Sequence, residues 1–295
     1  MSHDMCDQLA MLLREVQYAR PATVEEAIQL LQAHDGARAL AGGQTLVNVM
    51  KARAAAPDVL VDLADLSELR RIGFSADQSA LELGAMVTTA TIAASSEVEV
   101  ARPILAEVAS TIADVQVRNR GTIGGNICVN DPTNHLPPLL VALGASMTIL
   151  GAEGERVVPA EDFLIGVYTT AVNEGELLTK VSVPTRKPGT GDAMDGVTLG
   201  AHGTYIVSAC ASITPGDVRI VIGCCAAAPV RATAAEQALQ ASRDFSEASV
   251  RAAVAGLGAT LDPPSDVHAS AGYRRHLAEV AAVRAVLKAA QRAKG

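Results

Sequence analysis

The sequence is poor in the residues on which nucleic-acid binding depends. Its 295 residues include no tryptophan, and aromatic residues make up only 2% of the chain, so the stacking surfaces of single-strand binding proteins are missing. The formal net charge is −8 and the 24 lysines and arginines form no long runs, whereas duplex binding needs clustered cations. We therefore expect no nucleic acid among the partners of this chain.

The sequence also lacks the spacing of a metal or iron–sulfur site. The five cysteines, which contain no Cys-x-x-Cys motif, are Cys6, Cys128, Cys210, Cys224 and Cys225. An iron–sulfur cluster needs about four thiolates brought together, so we expect no cluster on this chain. Nothing resembles a metal site or a nucleophile–base–acid triad, and we predict no metal ligand and no catalytic side chain. Buried, unpaired cysteines fit a reducing compartment.

Long apolar runs are absent as well. Hydrophobic residues make up 49% of the chain, yet no stretch reaches the roughly 20 uninterrupted apolar residues of a membrane helix. The first five residues, Met1 to Met5, include an acid instead of the basic segment that begins a secretory signal. The sequence predicts a cytoplasmic protein with no membrane span.

Two glycine pairs are the most informative features that are present. Gly42-Gly43 and Gly124-Gly125 each stand between a predicted strand or helix end and a following helix. Glycine lets the backbone approach an anion closely, and it permits the positive φ with which successive N–H groups point at phosphate oxygens. A diphosphate would satisfy both loops, helped by the positive end of the helix after Gly43.

The loops match neither of two common nucleotide motifs. Neither has the three spaced glycines of the dinucleotide fingerprint, nor the Gly-Lys-Ser/Thr ending of a P-loop, which disfavours a nicotinamide-binding Rossmann fold and an NTPase. Four polar residues in the loops can add hydrogen bonds to a ligand, or can act instead as helix caps and turn residues. They are Gln44, Thr45, Thr122 and Asn126.

Local patterns predict alternating strands and helices in the first part of the chain, and strands followed by helices in the last part. Thr23 and Glu26 form a capping box that begins a helix at Val24. Further predicted strands cover residues 38–40, 59–61, 69–72, 80–84, 146–150, 204–214 and 218–225. Further helices cover 45–54 and 103–113 and begin near residues 88, 137, 233, 246 and 271, and residues 187–192 are predicted as a mobile loop.

Read together, the flanks of the two loops resemble one known family. The motifs that carry the resemblance are Ala41-Gly42-Gly43-Gln44-Thr45-Leu46, Met50-Lys51-Ala52-Arg53, Thr122-Ile123-Gly124-Gly125-Asn126, Asp131-Pro132 and Leu136-Pro137-Pro138-Leu139-Leu140. They resemble the FAD-binding medium subunit of the molybdenum hydroxylases, a family that includes carbon monoxide dehydrogenase and xanthine dehydrogenase. The resemblance covers nearly the whole chain from Val16 onward.

The resemblance implies an α+β fold. It predicts a two-part FAD-binding domain of the vanillyl-alcohol-oxidase/PCMH-like type, followed by a C-terminal domain with a three-stranded sheet and helices. The implied boundaries are residues 1–62 and 63–184 for the two FAD-binding parts and 185–295 for the last domain.

The resemblance also implies which residues contact FAD. It assigns one loop to the diphosphate and ribityl side, namely Leu40, Ala41, Gly42, Gly43, Gln44, Thr45, Leu46 and Val47. It assigns Thr122, Ile123, Gly124, Gly125 and Asn126 to the facing loop, and Ile112 and Leu178 to apolar walls, although a leucine at such a spacing can equally be plain core.

Two further positions are implied at the flavin. Tyr205 stands where some relatives place a tyrosine against the ring, with packing on an edge strand as the alternative. His135 stands where many relatives have an acid. A histidine there can donate a hydrogen bond or become charged below about pH 6.5, and the alternative is a solvent-facing loop histidine.

The implied function is electron transfer through FAD. A large subunit would carry molybdopterin and a small subunit two 2Fe-2S clusters, in a dimer of heterotrimers. This chain would accept electrons from those clusters and pass them to an external acceptor. The alternatives are a stand-alone FAD-dependent reductase on the same scaffold and a non-catalytic assembly subunit.

Overall fold

The computed structural model describes residues 14–200 and 203–295. Cys6 and His202 lie outside these ranges. Three larger sheets and one two-stranded hairpin sheet organise the described chain, and helices pack against the larger sheets. No helix within these ranges has both the length and the apolarity that crossing a bilayer requires.

The first sheet is parallel and carries the first glycine loop. Its elements are β1 (Gln17–Ala19), α1 (Val24–Ala33), β2 (Arg38–Leu40), α2 (Leu46–Lys51) and β3 (Val59–Asp62), with strand order β1-β3-β2. The apolar stripe of α1, at Val24, Ala27, Ile28 and Leu31, is buried against the sheet. Because β2 is followed directly by the loop and α2, residues 41–45 emerge at the carboxyl edge of the sheet.

The capping box of α1 is confirmed in its first half. The Glu26 N–H donates to the Thr23 hydroxyl over 3.2 Å. The Glu26 carboxylate, however, accepts from the N–H of Ala22 at 2.6 Å. The first bond satisfies a donor that the helix start leaves free, and the second ties the residue before the N-cap to the first turn.

The second sheet is antiparallel and has the order β4-β5-β10-β6-β7. The strands of this part are β4 (Ile72–Phe74), β5 (Ala80–Gly84), β6 (Ser146–Gly151), β7 (Gly154–Pro159), the hairpin strands β8 (Leu164–Gly166) and β9 (Thr169–Thr170), and β10 (Leu177–Pro184). Its helices are α3 (Thr89–Ala94), α4 (Ser96–Ala101), α5 (Pro103–Thr111), α6 (Val115–Arg120), α7 (Ile123–Val129), α8 (Leu136–Ala142) and α9 (Ala160–Phe163). The sheet and the apolar faces of these helices other than α6 form the largest buried cluster.

The third sheet has four strands in the order β11-β12-β13-β14. These are β11 (Gly191–Thr198), β12 (Tyr205–Ile213), β13 (Val218–Gly223) and the two-residue β14 (Val230–Arg231). The helices α10 (Thr233–Ser242), α11 (Glu247–Val254) and α12 (Ala271–Arg292) complete a second core. The three-stranded sheet implied by the resemblance was wrong by one strand, and the local patterns, which located only β12 and β13, missed β11 and the short β14.

Several local predictions need correction. The chain around Leu69 forms a 3-10 helix, Ser67–Arg70, so that the strand begins only at Ile72. The predicted loop 187–192 is shorter than expected, because the Thr190 N–H donates to the Lys187 carbonyl in a turn and β11 starts at Gly191. Cys224 follows the end of β13 in a left-handed conformation and does not extend the strand.

Candidate functional site

A groove of about 790 Å³ runs between the first and second sheets. The loop after β2 forms one side, the α6–α7 segment forms the facing side, and the β8–β9 hairpin with the start of β10 lies along it. Its volume is in the range of small-molecule and cofactor sites.

The two glycine loops touch each other at the groove. A Cβ placed on Gly42 would overlap the carbonyl oxygen of Arg120 and lie 2.7 Å from its carbonyl carbon. Only glycine allows this approach of the two backbones. Gly43 has a φ of +72°, a conformation that side chains with a Cβ rarely adopt. Glycine is therefore required at both positions, for two different reasons.

The first loop leaves a row of backbone donors without acceptors. Within the described ranges, the N–H groups of residues 42–46 make no hydrogen bond, and all five residues line the groove. The loop is held by its own side chains instead: Gln44 donates to the Gly42 carbonyl over 3.1 Å, and Asn48 donates to the Gln44 carbonyl over 2.7 Å. A row of unpaired donors is suited to an anion with several acceptor oxygens.

In the second loop, by contrast, the backbone N–H groups of residues 123–125 already have acceptors. This corrects the prediction from sequence that both loops offer free N–H groups to a diphosphate. Ile123 N–H donates to the Val87 carbonyl and Gly124 N–H to the Ala85 carbonyl, both over 2.9 Å. Gly125 N–H donates to the Thr122 hydroxyl over 3.0 Å. Thr122 is therefore a helix cap, the alternative left open for it, and these amides already have acceptors within the chain.

Gly124 and Gly125 also differ from the expected conformation, since neither has a positive φ. Gly124 is required because a Cβ there would lie 2.7 Å from both the Cβ and the carbonyl oxygen of Ala85. Gly125 lines the groove, where a Cβ would lie 3.0 Å from the Thr122 hydroxyl and 3.6 Å from the Ala41 Cβ. The second glycine pair thus allows two segments to approach closely. It does not supply the left-handed backbone conformation that was expected to bind an anion.

The side-chain oxygen of Asn126, in the second loop, is a hydrogen-bond acceptor without a donor within the described chain. This oxygen is buried, and Asn126 lines the groove. Its backbone carbonyl accepts from the Asn134 amide over 3.0 Å, which holds the segment in place. A buried acceptor without a donor costs about 1–3 kcal/mol, so a ligand that donates here is favoured.

Arg118 fixes one apolar wall of the groove. Its guanidinium donates to the carbonyls of Ile112 and Ala113 over 2.9 and 2.8 Å. Ala113 has a φ of +44°, and both residues line the groove. Leu178 of β10, 3% exposed, lines the groove and also belongs to the core, and its contact with FAD stays a prediction.

The β8–β9 hairpin brings in residues that the sequence interpretation missed. The buried Asn130, with φ +44°, donates through its side-chain amide to the carbonyls of Gly166 and Thr169. The Tyr168 hydroxyl donates to Asp131 over 3.0 Å, and Tyr168 lines the groove. The Asn-Asp-Pro turn after α7 was a local signal for the left-handed residue, but no sequence pattern indicated that it would hold a distant hairpin.

His135 and Tyr205 lie together but do not line the groove. Their ring centroids are 4.5 Å apart at an interplanar angle of 62°. His135 is 7% exposed, and burial lowers its pKa to about 4, so it is neither a solvent-facing histidine nor one that becomes charged near pH 6.5. Burial raises the pKa of Tyr205 to about 12. Tyr205 opens β12, a central strand, which overturns the edge-strand alternative. Flavin contact by either residue stays a prediction.

Apart from His135 and Tyr205, the predicted cofactor-binding residues lie in three places: the groove, a neighbouring hollow and the core behind the groove. Those that line the groove are Ala41, Gly42, Gly43, Gln44, Thr45, Leu46, Ile112, Thr122, Gly125, Asn126 and Leu178. Leu40 and Val47 line the hollow on the other side of the first loop. Ile123 and Gly124 are buried behind the groove.

Comparison with known proteins gives matches along the described chain. The family model described as the FAD binding domain in molybdopterin dehydrogenase matches residues 14–186, and the model described as the CO dehydrogenase flavoprotein C-terminal domain matches residues 203–289.

Individual relatives match over nearly their full lengths. The chain is 34% identical to the nicotine 6-hydroxylase medium subunit of Paenarthrobacter nicotinovorans, over 96% of this chain and 100% of that protein. It is 36% identical to the carbon monoxide dehydrogenase medium chain of Afipia carboxidovorans, over 94% and 97%. Its fold matches a chain of the reconstituted CO dehydrogenase from Oligotropha carboxidovorans with a TM-score of 0.90 and 34% identity, over 96% and 100%.

Proposed function

We infer that this chain, which belongs to the family of FAD-binding medium subunits of molybdenum hydroxylases, accepts electrons from the 2Fe-2S clusters of a partner subunit and passes them to an external acceptor. The observation that carries this inference is the row of five unpaired N–H groups at residues 42–46, which belong to residues lining the groove of a domain matched by the FAD-binding family model. The chain is an oxidoreductase subunit whose redox group is FAD.

The donors and acceptors of the groove fit this cofactor. We propose that the amides of residues 42–46 meet the diphosphate, because they form five consecutive backbone donors without acceptors in the described chain. The side-chain oxygen of Asn126 would accept from a cofactor donor, and Ile112 and Leu178 would exclude water from apolar parts of the ligand. Contacts of His135 and Tyr205 with the flavin remain part of the proposal.

When bound, the flavin supplies the redox chemistry, since it exchanges electrons singly and in pairs. The chain's own residues bind and orient it. Asn130 and Asp131 hold the hairpin along the groove, and Arg118 holds the Ile112 wall. No proton-transfer step is assigned to a side chain.

The finer features of the assembly are part of the same proposal. We propose a large molybdopterin-binding subunit and a small 2Fe-2S subunit as partners, a dimer of heterotrimers as the assembly, and the cytoplasm as its compartment. The division into residues 1–62, 63–184 and 185–295 is supported by the separate sheets and by the family match that ends at residue 186. The vanillyl-alcohol-oxidase/PCMH-like type is proposed for the first two parts.

Purification from the native host tests this function. A tagged chain should bring down two further subunits, and the complex should contain molybdenum, iron and FAD, whereas the chain alone should contain FAD only. In an omission series, substrate turnover should require all three subunits. Turnover by the chain alone would contradict the proposal and favour a stand-alone reductase. Three subunits without flavin would favour a non-catalytic assembly role.

A further inference from the structure

A second, smaller hollow lies on the other side of the first glycine loop. It has a volume of about 310 Å³ and is lined by Leu40, Gly42, Gly43, Gln44, Val47, Asn48, Lys51 and Arg120. Three of these residues, Gly42, Gly43 and Gln44, also line the cofactor groove. The groove and the hollow are therefore separated by a single stretch of backbone.

The hollow carries positive charge on an acidic chain. Lys51 and Arg120 are both exposed, and within residues 14–200 and 203–295 neither side chain makes a hydrogen bond or an ion pair. Most other cations near the groove are engaged: Arg118 binds carbonyls and Arg156 pairs with Glu176. With a net charge of −8 overall, two cations without carboxylate partners in one hollow make a local site for a negative group.

The shape of the hollow is fixed by the contacts of its walls. The backbone contact between Gly42 and Arg120 joins the two loops, and the Gln44 and Asn48 side chains tie the first loop to itself. Lys51 ends α2, and Arg120 ends α6. The two cations thus line the hollow from two helix ends, and the loops beside these ends are held in contact, so docking there needs little rearrangement.

We propose that the hollow between Lys51 and Arg120 receives a carboxylate-bearing segment of the iron–sulfur partner subunit. This inference rests on the proposed function. The electron donor must approach the bound cofactor, and the hollow shares Gly42, Gly43 and Gln44 with the groove, so a subunit docked at the hollow lies beside the cofactor. Its charge selects an acidic segment, and complementary charge of this kind raises the association rate and sets the orientation of docking.

Charge reversal at the hollow tests the proposal. The variants are Lys51→Glu, Arg120→Glu and the double variant. The matched controls are Lys187→Glu and Arg71→Glu, which reverse the charge of exposed residues away from the hollow. For each, one measures FAD content by absorbance and the affinity for the purified small subunit by a biosensor, at low and high salt.

We expect full FAD content in every variant. The affinity of the double variant should fall by at least roughly tenfold, mainly through slower association, and the controls should bind as the unaltered chain does. Salt should weaken binding by the unaltered chain much more than binding by the double variant, because screening acts on the charges that were reversed.

Three results would overturn the inference alone. One is unchanged affinity of the double variant. Another is loss of FAD from the Lys51 and Arg120 variants, which would assign the hollow to the cofactor site. The third is weakened binding of the large subunit in place of the small one. If the unaltered chain carried no FAD or bound no small subunit, the proposed function would fail as well.

Discussion

At the scale of single residues, the groove depends on positions where a side chain would separate backbones. Gly42 permits contact with Arg120, Gly43 requires a left-handed conformation, and Gly124 permits contact with Ala85. The sequence indicated these glycines, because close approach and positive φ are the two reasons for such pairs. It could not indicate which amides remained free, since the acceptors Val87 and Ala85 lie more than 30 residues before the second loop.

Substitution of Gly42 should weaken cofactor binding. In Gly42→Ala the new Cβ overlaps the Arg120 carbonyl, and the two loops must move apart at a cost of about 1–3 kcal/mol. We expect FAD affinity to fall by roughly tenfold or more, measured by titration of the apoprotein. Gly73→Ala is the control, because a Cβ at Gly73 meets nothing within 4 Å. Wild-type FAD affinity in Gly42→Ala would contradict the assigned role of this contact.

His135 should make stability depend on pH in the acidic range. Burial lowers its folded pKa from 6.5 to about 4, so between these values the unfolded chain binds a proton that the folded chain does not. The free energy of unfolding therefore falls as the pH drops from about 6.5 to about 4, by up to about 3 kcal/mol from this residue.

Urea unfolding at several pH values tests this. His135→Gln should flatten the decline between pH 7 and 4, whereas replacement of the exposed His268 by Gln should leave it as it is. An equally steep decline in His135→Gln would show that other groups cause it.

At the scale of elements, long periodic or capped segments were predictable. The apolar stripe and Thr23 cap fixed the start of α1, and Pro103 fixed the start of α5. By contrast, α6 and β11 were missed. The helix α6 has six residues and buries none of them, so its sequence has no apolar stripe. The strand β11 begins with Gly191 and Asp192, residue types that are typical of turns, so its start was interpreted as a loop.

A buried ion pair joins the second and third sheets. Arg102, between α4 and α5, donates to Asp192 of β11 over 2.8 Å and to the Pro184 carbonyl over 2.8 Å. The two side chains are 4% and 7% exposed. Arg292 of α12 donates to the Asp192 carbonyl and also pairs with Glu107 of α5. This cluster fixes where the third sheet lies against the second.

Removal of Asp192 should strongly destabilise the chain. In Asp192→Ala the buried guanidinium loses its counter-charge, which costs about 3–5 kcal/mol of unfolding free energy. Glu247→Ala is the control, because it breaks the Arg251–Glu247 pair, whose side chains are 64% and 61% exposed, and should cost less than about 1 kcal/mol. Chemical denaturation compares the two, and equal losses would contradict a special role of the buried pair.

At the scale of the whole molecule, the groove lies where two differently built sheets meet. The parallel first sheet delivers one loop from the carboxyl edge of β2, and the antiparallel second sheet and its helices deliver the facing wall. The motif resemblance predicted that these two parts of the chain form one binding site and that FAD is its ligand. It could not predict the hairpin held by Asn130, the His135–Tyr205 pair or the hollow at Lys51, because each depends on contacts between distant segments.

The identity and amount of flavin on the purified chain test the central claim most directly. The protein is denatured with acid, and the released flavin is identified by chromatography and quantified against the protein. The account predicts one FAD per chain, fully released because it is bound non-covalently. Absence of flavin, release of FMN, or flavin that stays attached to the denatured chain would contradict it.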